Sequence, residues 1–174
     1  YDDVHLLIQQ AERCRDIMRR LTTLSADNEE HLKTLSLSSL IEEVTAPHRE
    51  FGIEIAVVEL SPRSDEPIAR RNAGIMYGLG NLIENAVDYA RSKVTVSVAH
   101  DKDKVTITVE DDGEGFAPDI LQRIGDPYVT RRNPQDKAGG LGLGLFIAKT
   151  LLERSGAELS FENAPGARVK VVWP

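Results

Sequence analysis

Gly139-Gly140-Leu141-Gly142-Leu143-Gly144-Leu145 is the stretch around which the chain is organised. Its four glycines predict a backbone that bends sharply or approaches a ligand closely, because only glycine adopts positive φ without steric cost. Residues 146–152 continue with helical spacing and no helix breaker before Gly156. A glycine-rich loop that leads into a helix N-terminus can bind phosphate through free N–H groups and the helix dipole. A purely structural glycine turn is the alternative, because neither the Walker nor the Rossmann phosphate motif is present.

Length and composition limit the chain to one core and a small appendage. Its 174 residues are 41% hydrophobic and 28% charged, as is usual for globular proteins. A net charge of −7 argues against a general nucleic-acid or anionic-membrane surface, and every apolar run is too short to span a bilayer. The single cysteine cannot form a disulfide within the chain, which favours a cytoplasmic location. Because the chain opens in a helical pattern without an initiator methionine, we expect it to be part of a longer protein.

The hydrophobic pattern predicts an α+β chain preceded by one long amphipathic helix. Apolar residues recur at three-and-four spacing over 4–24, and the polar stretch 25–30 is typical of a linker. We then expect a mixed sandwich with helices over one face of a sheet. The predicted order is a short strand and a helix over 34–44 with Ser38 or Ser39 as N-cap, a strand over 53–60, a loop over 62–67, a helix over 68–90, a hairpin of strands 94–99 and 105–110, a short helix near 118–124, a mobile flap over 125–140, a helix over 145–155, and strands 157–163 and 167–173.

Glycines interrupt the long predicted helix at positions 74, 78 and 80. Each glycine costs a helix about 1 kcal/mol relative to alanine. We therefore expect these positions to pack closely against a neighbouring element.

Two further stretches carry side chains that suit a nucleotide. Asn81 and Asn85 are four residues apart, so both amides lie on one helix face, where they can offer oxygens to Mg²⁺ or N–H groups to phosphate. Capping or core amides are the alternative. Asp111 ends a predicted strand and can accept a hydrogen bond from an exocyclic amine such as that of adenine. Gly113 and Gly115 leave room for a flat base or a phosphate. A calcium loop is disfavoured because the ligand spacing and terminal glutamate of an EF-hand are absent.

Together these stretches resemble the nucleotide-binding boxes of sensor histidine kinases. The run Asn81-Leu82-Ile83-Glu84-Asn85-Ala86 is similar to the N box, Asp111-x-Gly113-x-Gly115 to the G1 box, and Gly140-x-Gly142-Leu143-Gly144-Leu145 to the G2 box. These kinases belong to the GHKL ATPase superfamily, and the resemblance covers residues 34–174. It implies a two-layer Bergerat-type sandwich of a mixed sheet and helices, which holds ATP and Mg²⁺ between the long helix and a flap called the ATP lid.

The resemblance also implies roles for individual residues. Asn85 would ligate Mg²⁺, Asn81 would help hold the phosphates, Tyr89 would pack on the nucleotide and Asp111 would bond the adenine amine. In the lid, Asp126-Pro127-Tyr128-Val129-Thr130-Arg131 resembles the F box, with tyrosine in place of phenylalanine. The implied catalytic residues are Asn81, Asn85 and Arg131, and the implied nucleotide contacts further include Gly113, Gly115, Tyr128, Thr130, Arg132, Lys137, Gly140, Leu141, Gly142, Leu143 and Gly144.

Two features of the implied site leave alternatives open. A guanidinium can grip two phosphate oxygens at once, yet Arg131, Arg132 and Lys137 also fit a solvated basic flap. Asp88 departs from the family pattern, because many histidine kinases have a lysine or arginine at that position. An acid near phosphates is unfavourable unless Mg²⁺ or a lid arginine offsets its charge.

The N-terminal helix resembles the second helix of a dimerisation and histidine-phosphotransfer hairpin. Residues 1–27 would then be part of that hairpin and residues 34–174 the catalytic domain, with the first helix and its phospho-acceptor histidine outside the chain. None of the four histidines has the sequence context of an acceptor. Cys14, flanked by Arg13 and Arg15, resembles the cysteine of the redox-responsive RegB/PrrB-type kinases, and the arginines would favour its thiolate. A small apolar packing residue is the alternative.

The resemblance therefore implies a protein histidine kinase. It would transfer the γ-phosphate of ATP to a histidine outside this chain, and that histidine would phosphorylate a response regulator. The implied partners are ATP, the response regulator and a second copy of the protein bound through the N-terminal helix, with no nucleic acid and no membrane segment in this part of a membrane-anchored sensor. Alternatives are a GHKL ATPase, an anti-sigma-type serine kinase and a non-catalytic scaffold. Asn81 disfavours the first, because ATP-hydrolysing relatives have glutamate there.

Overall fold

A computed structural model describes residues 2–26, 34–50, 52–122 and 143–174. Helices and strands alternate irregularly along the chain, and two short 3₁₀ turns, Ala46–His48 and Arg63–Asp65, join some of them. In chain order the elements are α1 (Asp2–Ala26), β1 (Thr34–Ser36), α2 (Leu37–Thr45), β2 (Glu54–Glu59), β3 (Ile68–Arg70), α3 (Ala73–Tyr89), β4 (Lys93–His100), β5 (Val105–Asp111), α4 (Pro118–Leu121), α5 (Leu143–Arg154), β6 (Glu158–Asn163) and β7 (Ala167–Trp173).

The strands form a mixed five-stranded sheet and a separate two-stranded sheet. In the larger sheet the order is β2-β4-β5-β7-β6, with β2 parallel to β4 and the other neighbours antiparallel. The smaller sheet pairs β1 with β3, with Leu35 opposite Ala69. The predicted hairpin is confirmed as β4 and β5, and its register places Asp111 opposite Val94.

One face of the larger sheet is covered by helices, and the core lies between the two layers. Strand side chains alternate between the faces, so β4 contributes Val94 and Val96 to the core and β5 contributes Ile107 and Val109. From the helices the buried partners include Ile41 of α2, Leu79, Leu82 and Ile83 of α3, and Ala148 and Leu152 of α5. The predicted α+β sandwich of a mixed sheet and helices is therefore confirmed.

Helix α3 begins later than its sequence pattern predicts. Residues 68–70 form β3 instead of the first turn of a helix, because they pair with β1 in an antiparallel ladder. The helix begins at Ala73, where the Asn72 side chain caps it by accepting a 3.0 Å hydrogen bond from the Ile75 N–H.

The cap of α2 also differs from the prediction. Ser36 is the N-cap, and its hydroxyl oxygen accepts from the Ser39 N–H at 3.3 Å. Ser38 lies inside the helix, where its N–H and hydroxyl both donate to the Glu66 carboxylate, at 3.0 and 2.9 Å. Ser38, a predicted N-cap, therefore donates to the carboxylate of Glu66 in a loop distant in sequence and does not cap the helix.

Close packing explains Gly78 but not Gly80, and a Cβ at Gly74 would lie 3.2 Å from Oδ1 of the capping Asn72 and 3.8 Å from Leu151 of α5. A Cβ at Gly78 would lie 2.8 Å from Leu152 Cγ, so glycine lets α3 approach α5. A Cβ at Gly80 would meet nothing within 4 Å, so the expectation of close packing is wrong there.

Helix α1 confirms the predicted N-terminal helix and contacts α3. Arg13 Nη2 lies 3.9 Å from Glu84 Oε1 in a half-exposed ion pair. Apolar side chains elsewhere on α1 stay exposed, with Leu7 at 69% and Val4 at 59%. None of the helices in the described ranges has the length and apolar character that a bilayer crossing requires. The predicted flap over 125–140 lies outside the described residues, as does most of the predicted linker.

Candidate functional site

Helix α3 presents a buried amide that has no hydrogen-bond partner among the described residues. Asn81 is 9% exposed, and its Nδ2 finds no acceptor within the described part of the chain. A buried donor left in this state costs about 1–3 kcal/mol. Asn85 follows one helical turn later and is half-buried, and Tyr89 follows one turn after that and is 43% exposed. The helix therefore offers an unsatisfied donor, a second amide and an aromatic ring along one side.

Asp111 ends β5 as a buried carboxylate. Its Oδ1 accepts a 2.8 Å hydrogen bond from the Gly113 N–H. Burial raises the pKa of Asp111, while hydrogen bonds from the Gly113 and Ala167 backbones act in the opposite direction. The carboxyl is thus held by backbone donors in a place where its charge is poorly hydrated, and an additional donor from a ligand would stabilise the ionised form.

Two glycines allow the backbone to close around Asp111. A Cβ at Gly113 would lie 2.2 Å from the Tyr89 carbonyl oxygen, and one at Gly166 would lie 2.0 Å from the Asp111 carbonyl oxygen. Both contacts are with backbone atoms. A side chain at Gly113 would therefore push the loop after β5 away from the end of α3, and one at Gly166 would push the β6–β7 turn away from the end of β5. Gly113 in particular brings the end of α3 against the end of β5, and this places Tyr89 beside the Asp111 loop.

Asp112 fastens the same two elements together. Its carboxylate accepts from the Arg91 N–H at 2.7 Å, from the Ser92 N–H at 3.0 Å and from the Ser92 hydroxyl at 2.6 Å. The Ser92 hydroxyl bond is the main reason that the pKa of Asp112 is lowered. The turn after α3 is therefore tied to the turn after β5, on the exposed side of the site.

Gly115 and Asn163 fix the rest of the loop that follows β5. The Asn163 side chain accepts from the Phe116 N–H and donates to the Phe116 carbonyl oxygen, both at 2.7 Å. Gly115 has a φ of +80°, and a Cβ there would lie 2.7 Å from Asn163 Oδ1. The glycine is thus required by this double hydrogen bond, whether or not a ligand approaches it.

An acidic side of α3 adjoins the candidate site. Glu84 pairs with Arg13, and both Glu84 and Asp88 act to raise the pKa of His48. Burial of the imidazole outweighs them, so the pKa of His48 is lowered overall. Asp88 is the residue that departs from the family pattern. It therefore interacts with the His48 imidazole and also lies on the helix that carries the candidate site.

The structure brings part of the predicted set together. Asn81, Asn85 and Tyr89 lie along α3, and Gly113 joins that helix to Asp111. Leu143 and Gly144 begin α5. The predicted contacts Tyr128, Thr130, Arg131, Arg132, Lys137, Gly140, Leu141 and Gly142 lie outside the described residues.

Sequence reasoning missed three residues that shape this region, namely Asp112, Asn163 and Gly166. Asn163 and Gly166 stand in an Asn-Ala-Pro-Gly turn between β6 and β7. That composition is a turn signal, and nothing local to it indicates a contact with the loop after β5.

Comparison with known proteins decides the family. Residues 72–174 match the family described as histidine kinase-, DNA gyrase B- and HSP90-like ATPase. The chain belongs to this family of ATPases. Within the family it is 41% identical over 196 residues to sensor histidine kinase RegB of Cereibacter sphaeroides, a match that covers 99% of this chain and 42% of RegB. Sensor histidine kinase CpxA of Escherichia coli is 37% identical over 97 residues, or 55% of this chain and 21% of CpxA.

Solved structures agree with this assignment. The mycobacterial sensor histidine kinase MprB shares the fold with a TM-score of 0.67 at 19% identity, over 82% of this chain and 96% of that one. Full-length ShkA, solved in complex with AMPPNP, gives a TM-score of 0.65 at 27% identity, over 82% of this chain and 30% of ShkA. The chain thus contains a domain of this ATPase family with the fold of histidine kinase catalytic domains, and it spans less than half the length of RegB.

Proposed function

We propose that this domain binds Mg–ATP and transfers its γ-phosphate to a histidine outside the chain, which then phosphorylates a response regulator. The observation that carries the proposal is the buried Asn81 amide, which has no hydrogen-bond partner among the described residues, on the helix that Gly113 joins to the Asp111 carboxylate. A phosphate oxygen supplies the acceptor that Asn81 lacks. The exocyclic amine of adenine supplies the donor that a poorly hydrated carboxylate favours.

The residues of the described site suit Mg²⁺ as a partner of the nucleotide. Magnesium keeps several waters and uses few protein ligands when substrate phosphates complete its shell. Within the described ranges no group of three or more acidic, histidine or cysteine side chains could hold a metal by itself. We propose Asn85 as the protein ligand. When bound, the ion neutralises charge on the phosphates.

The other implied contacts remain part of the proposal. Tyr89 packs on the nucleotide, and the glycines of the loop before α5 approach its phosphates. The lid supplies Arg131, Arg132 and Lys137 as cations and Tyr128 and Thr130 as further contacts. A guanidinium there is suited to stabilise the transferring phosphoryl group, because it can donate to two oxygens at once.

We further propose that α1 is the second helix of a dimerisation and phosphotransfer hairpin. Residues 1–27 then belong to the hairpin and residues 34–174 to the catalytic domain. The exposed apolar side chains of α1, Val4 and Leu7 among them, support this, because a helix buries such a stripe against partner helices. In this arrangement the domain is the cytoplasmic part of a membrane-anchored sensor.

Two substitutions separate the nucleobase role from the metal role. Asp111→Asn removes a charged acceptor worth about 1.5–3 kcal/mol and should relax the preference for ATP over GTP. Asn85→Ala should weaken Mg–ATP binding more than binding of ATP in excess chelator. Calorimetric titration with each nucleotide measures both effects, and Asp103→Ala, at the exposed β4–β5 turn, is the matched control. An equal loss for every nucleotide in both variants would contradict these roles.

Phosphotransfer needs a separate test. Labelled ATP should leave a polypeptide of these 174 residues unlabelled, because none of its histidines has an acceptor context. Label should appear on an added segment of the full-length protein that carries the first hairpin helix. Stable, acid-labile label on the 174-residue polypeptide alone would overturn this assignment.

A further inference from the structure

A cavity lies at the end of the sheet that is remote from Asp111. It encloses about 230 Å³ between the β1–β3 pair, the first turn of α3 and the edge where β5 starts and β7 ends. Val105 and Asp111 are the first and last residues of β5, so six steps of about 3.4 Å separate the cavity from the nucleotide site by about 20 Å. This space therefore does not belong to the site described above.

The walls of this cavity are apolar. Ile107, which is 1% exposed, contributes to its lining, and so do the side chains of Leu35, Leu40, Ile75 and Trp173. An apolar cavity of about 150 Å³ is large enough to bind benzene. At 230 Å³ this one has room for a somewhat larger aromatic or branched aliphatic group.

An arginine stands at the rim. The Arg70 side chain lines the cavity, is exposed, and makes no hydrogen bond or ion pair within the described part of the chain, while its backbone pairs with Thr34 in the β1–β3 ladder. Its neighbour Arg71 also lines the cavity but is engaged by Glu43, with Nη1–Oε1 at 2.9 Å and Nη2–Oε2 at 2.5 Å. The Arg70 guanidinium thus keeps its planar set of donors available, and a carboxylate is the group that such a fork binds in a bidentate manner.

We propose that this cavity is a binding site for a small organic acid with an apolar body. The aromatic or branched aliphatic part lies against Ile107, Ile75 and Trp173, and the carboxylate pairs with Arg70. The apolar walls exclude a nucleotide or a sugar as the occupant, because their polar groups would lose hydration without gaining partners.

Ligand binding can be followed by tryptophan fluorescence, because Trp173 lines the cavity and is the one tryptophan of the sequence. Titration of the protein with 3-phenylpropanoate should change the tryptophan emission saturably, and calorimetry should give the same dissociation constant. The neutral analogue 3-phenylpropan-1-ol should bind about tenfold more weakly or worse, since it cannot form the charge-assisted hydrogen bonds. Absence of saturable binding of the acid, or equal binding of acid and alcohol, would overturn the proposal.

Three variants locate the binding. Arg70→Met should reduce the affinity for the acid about tenfold and leave that for the alcohol unchanged, whereas Arg91→Met, an exposed arginine at the other end of the sheet, should change neither. Ala69→Phe fills the rim of the cavity and should remove binding of both compounds. Circular dichroism and thermal unfolding confirm that each variant is folded. Wild-type affinity for the acid in Arg70→Met, or for both compounds in Ala69→Phe, would place the binding elsewhere.

Discussion

At the scale of single residues, Asp111 shows that a buried carboxylate in the candidate site costs stability. Burial disfavours its charged form, and the backbone donors of Gly113 and Ala167 offset only part of that penalty, so its pKa is raised. A carboxyl with a raised folded-state pKa contributes stability that is present below its unfolded pKa of about 3.9 and is lost as the pH rises through the folded value. Above its folded-state pKa, the ionised Asp111 therefore opposes folding of the nucleotide-free domain.

Asp111→Asn tests this opposition between stability and function. Without nucleotide at pH 7, we expect the asparagine variant to be at least as stable as the wild type, because it keeps an acceptor for Gly113 but carries no buried charge. The difference should shrink as the pH falls through the raised folded-state pKa of Asp111, because the wild-type carboxyl then becomes protonated. Urea unfolding at several pH values measures it. A variant that is less stable at pH 7 would show that the carboxylate itself holds the fold together.

At the scale of elements, α3 connects the core, α5 and the candidate site. Gly78 packs against Leu152 of α5, while Gly80, two residues later, faces open space. The two glycines therefore have different effects on the structure. At Gly78 the missing side chain sets the distance between two helices, and at Gly80 it only lowers the intrinsic stability of the helix.

Alanine at each position should have effects of opposite sign. Gly80→Ala should stabilise the domain by about 0.5–1 kcal/mol, because alanine is the better helix former. Gly78→Ala gains the same propensity but places a Cβ 2.8 Å from Leu152 Cγ, and overpacking of this kind costs about 1–3 kcal/mol. The net effect should be destabilising. Urea unfolding of both variants provides the comparison, and equal stabilisation would mean that α5 yields without cost.

The same helix shows which parts of the structure its sequence could predict. Strongly periodic elements such as β4, β5 and the body of α3 were predictable, because their patterns are local. The start of α3 was not, since residues 68–70 become a strand only through pairing with β1, far away in sequence. In the site, Asn81, Asn85 and Asp111 stand in recognisable motifs. Asp112 and Asn163 were missed because their hydrogen bonds join segments 20 and 47 residues apart.

At the scale of the whole molecule, α1 carries an ion pair to α3 and an exposed cysteine in adjacent residues. Arg13 pairs with Glu84, which immediately precedes Asn85 of the candidate site. Cys14 is exposed and lies one heptad from Leu7, so both stand on the same stripe of the helix. If two copies pair through this stripe, each Cys14 can meet its symmetry mate, because a two-fold axis brings identical residues together. A disulfide between the two Cys14 side chains would act on α3 through Arg13 and its ion pair with Glu84.

Oxidation of the full-length protein tests whether Cys14 is a redox switch. Two thiols within reach, with Cα atoms no more than about 7 Å apart, can be joined by an oxidant such as diamide, which takes up their two protons and two electrons. We expect a covalent dimer on non-reducing gels, altered autophosphorylation, and reversal of both by dithiothreitol. Cys14→Ala should abolish all three responses, whereas Arg13→Ala should keep the covalent dimer but weaken its effect on activity. If oxidation changes the activity of Cys14→Ala as much as that of the wild type, Cys14 is a packing residue and the switch lies elsewhere.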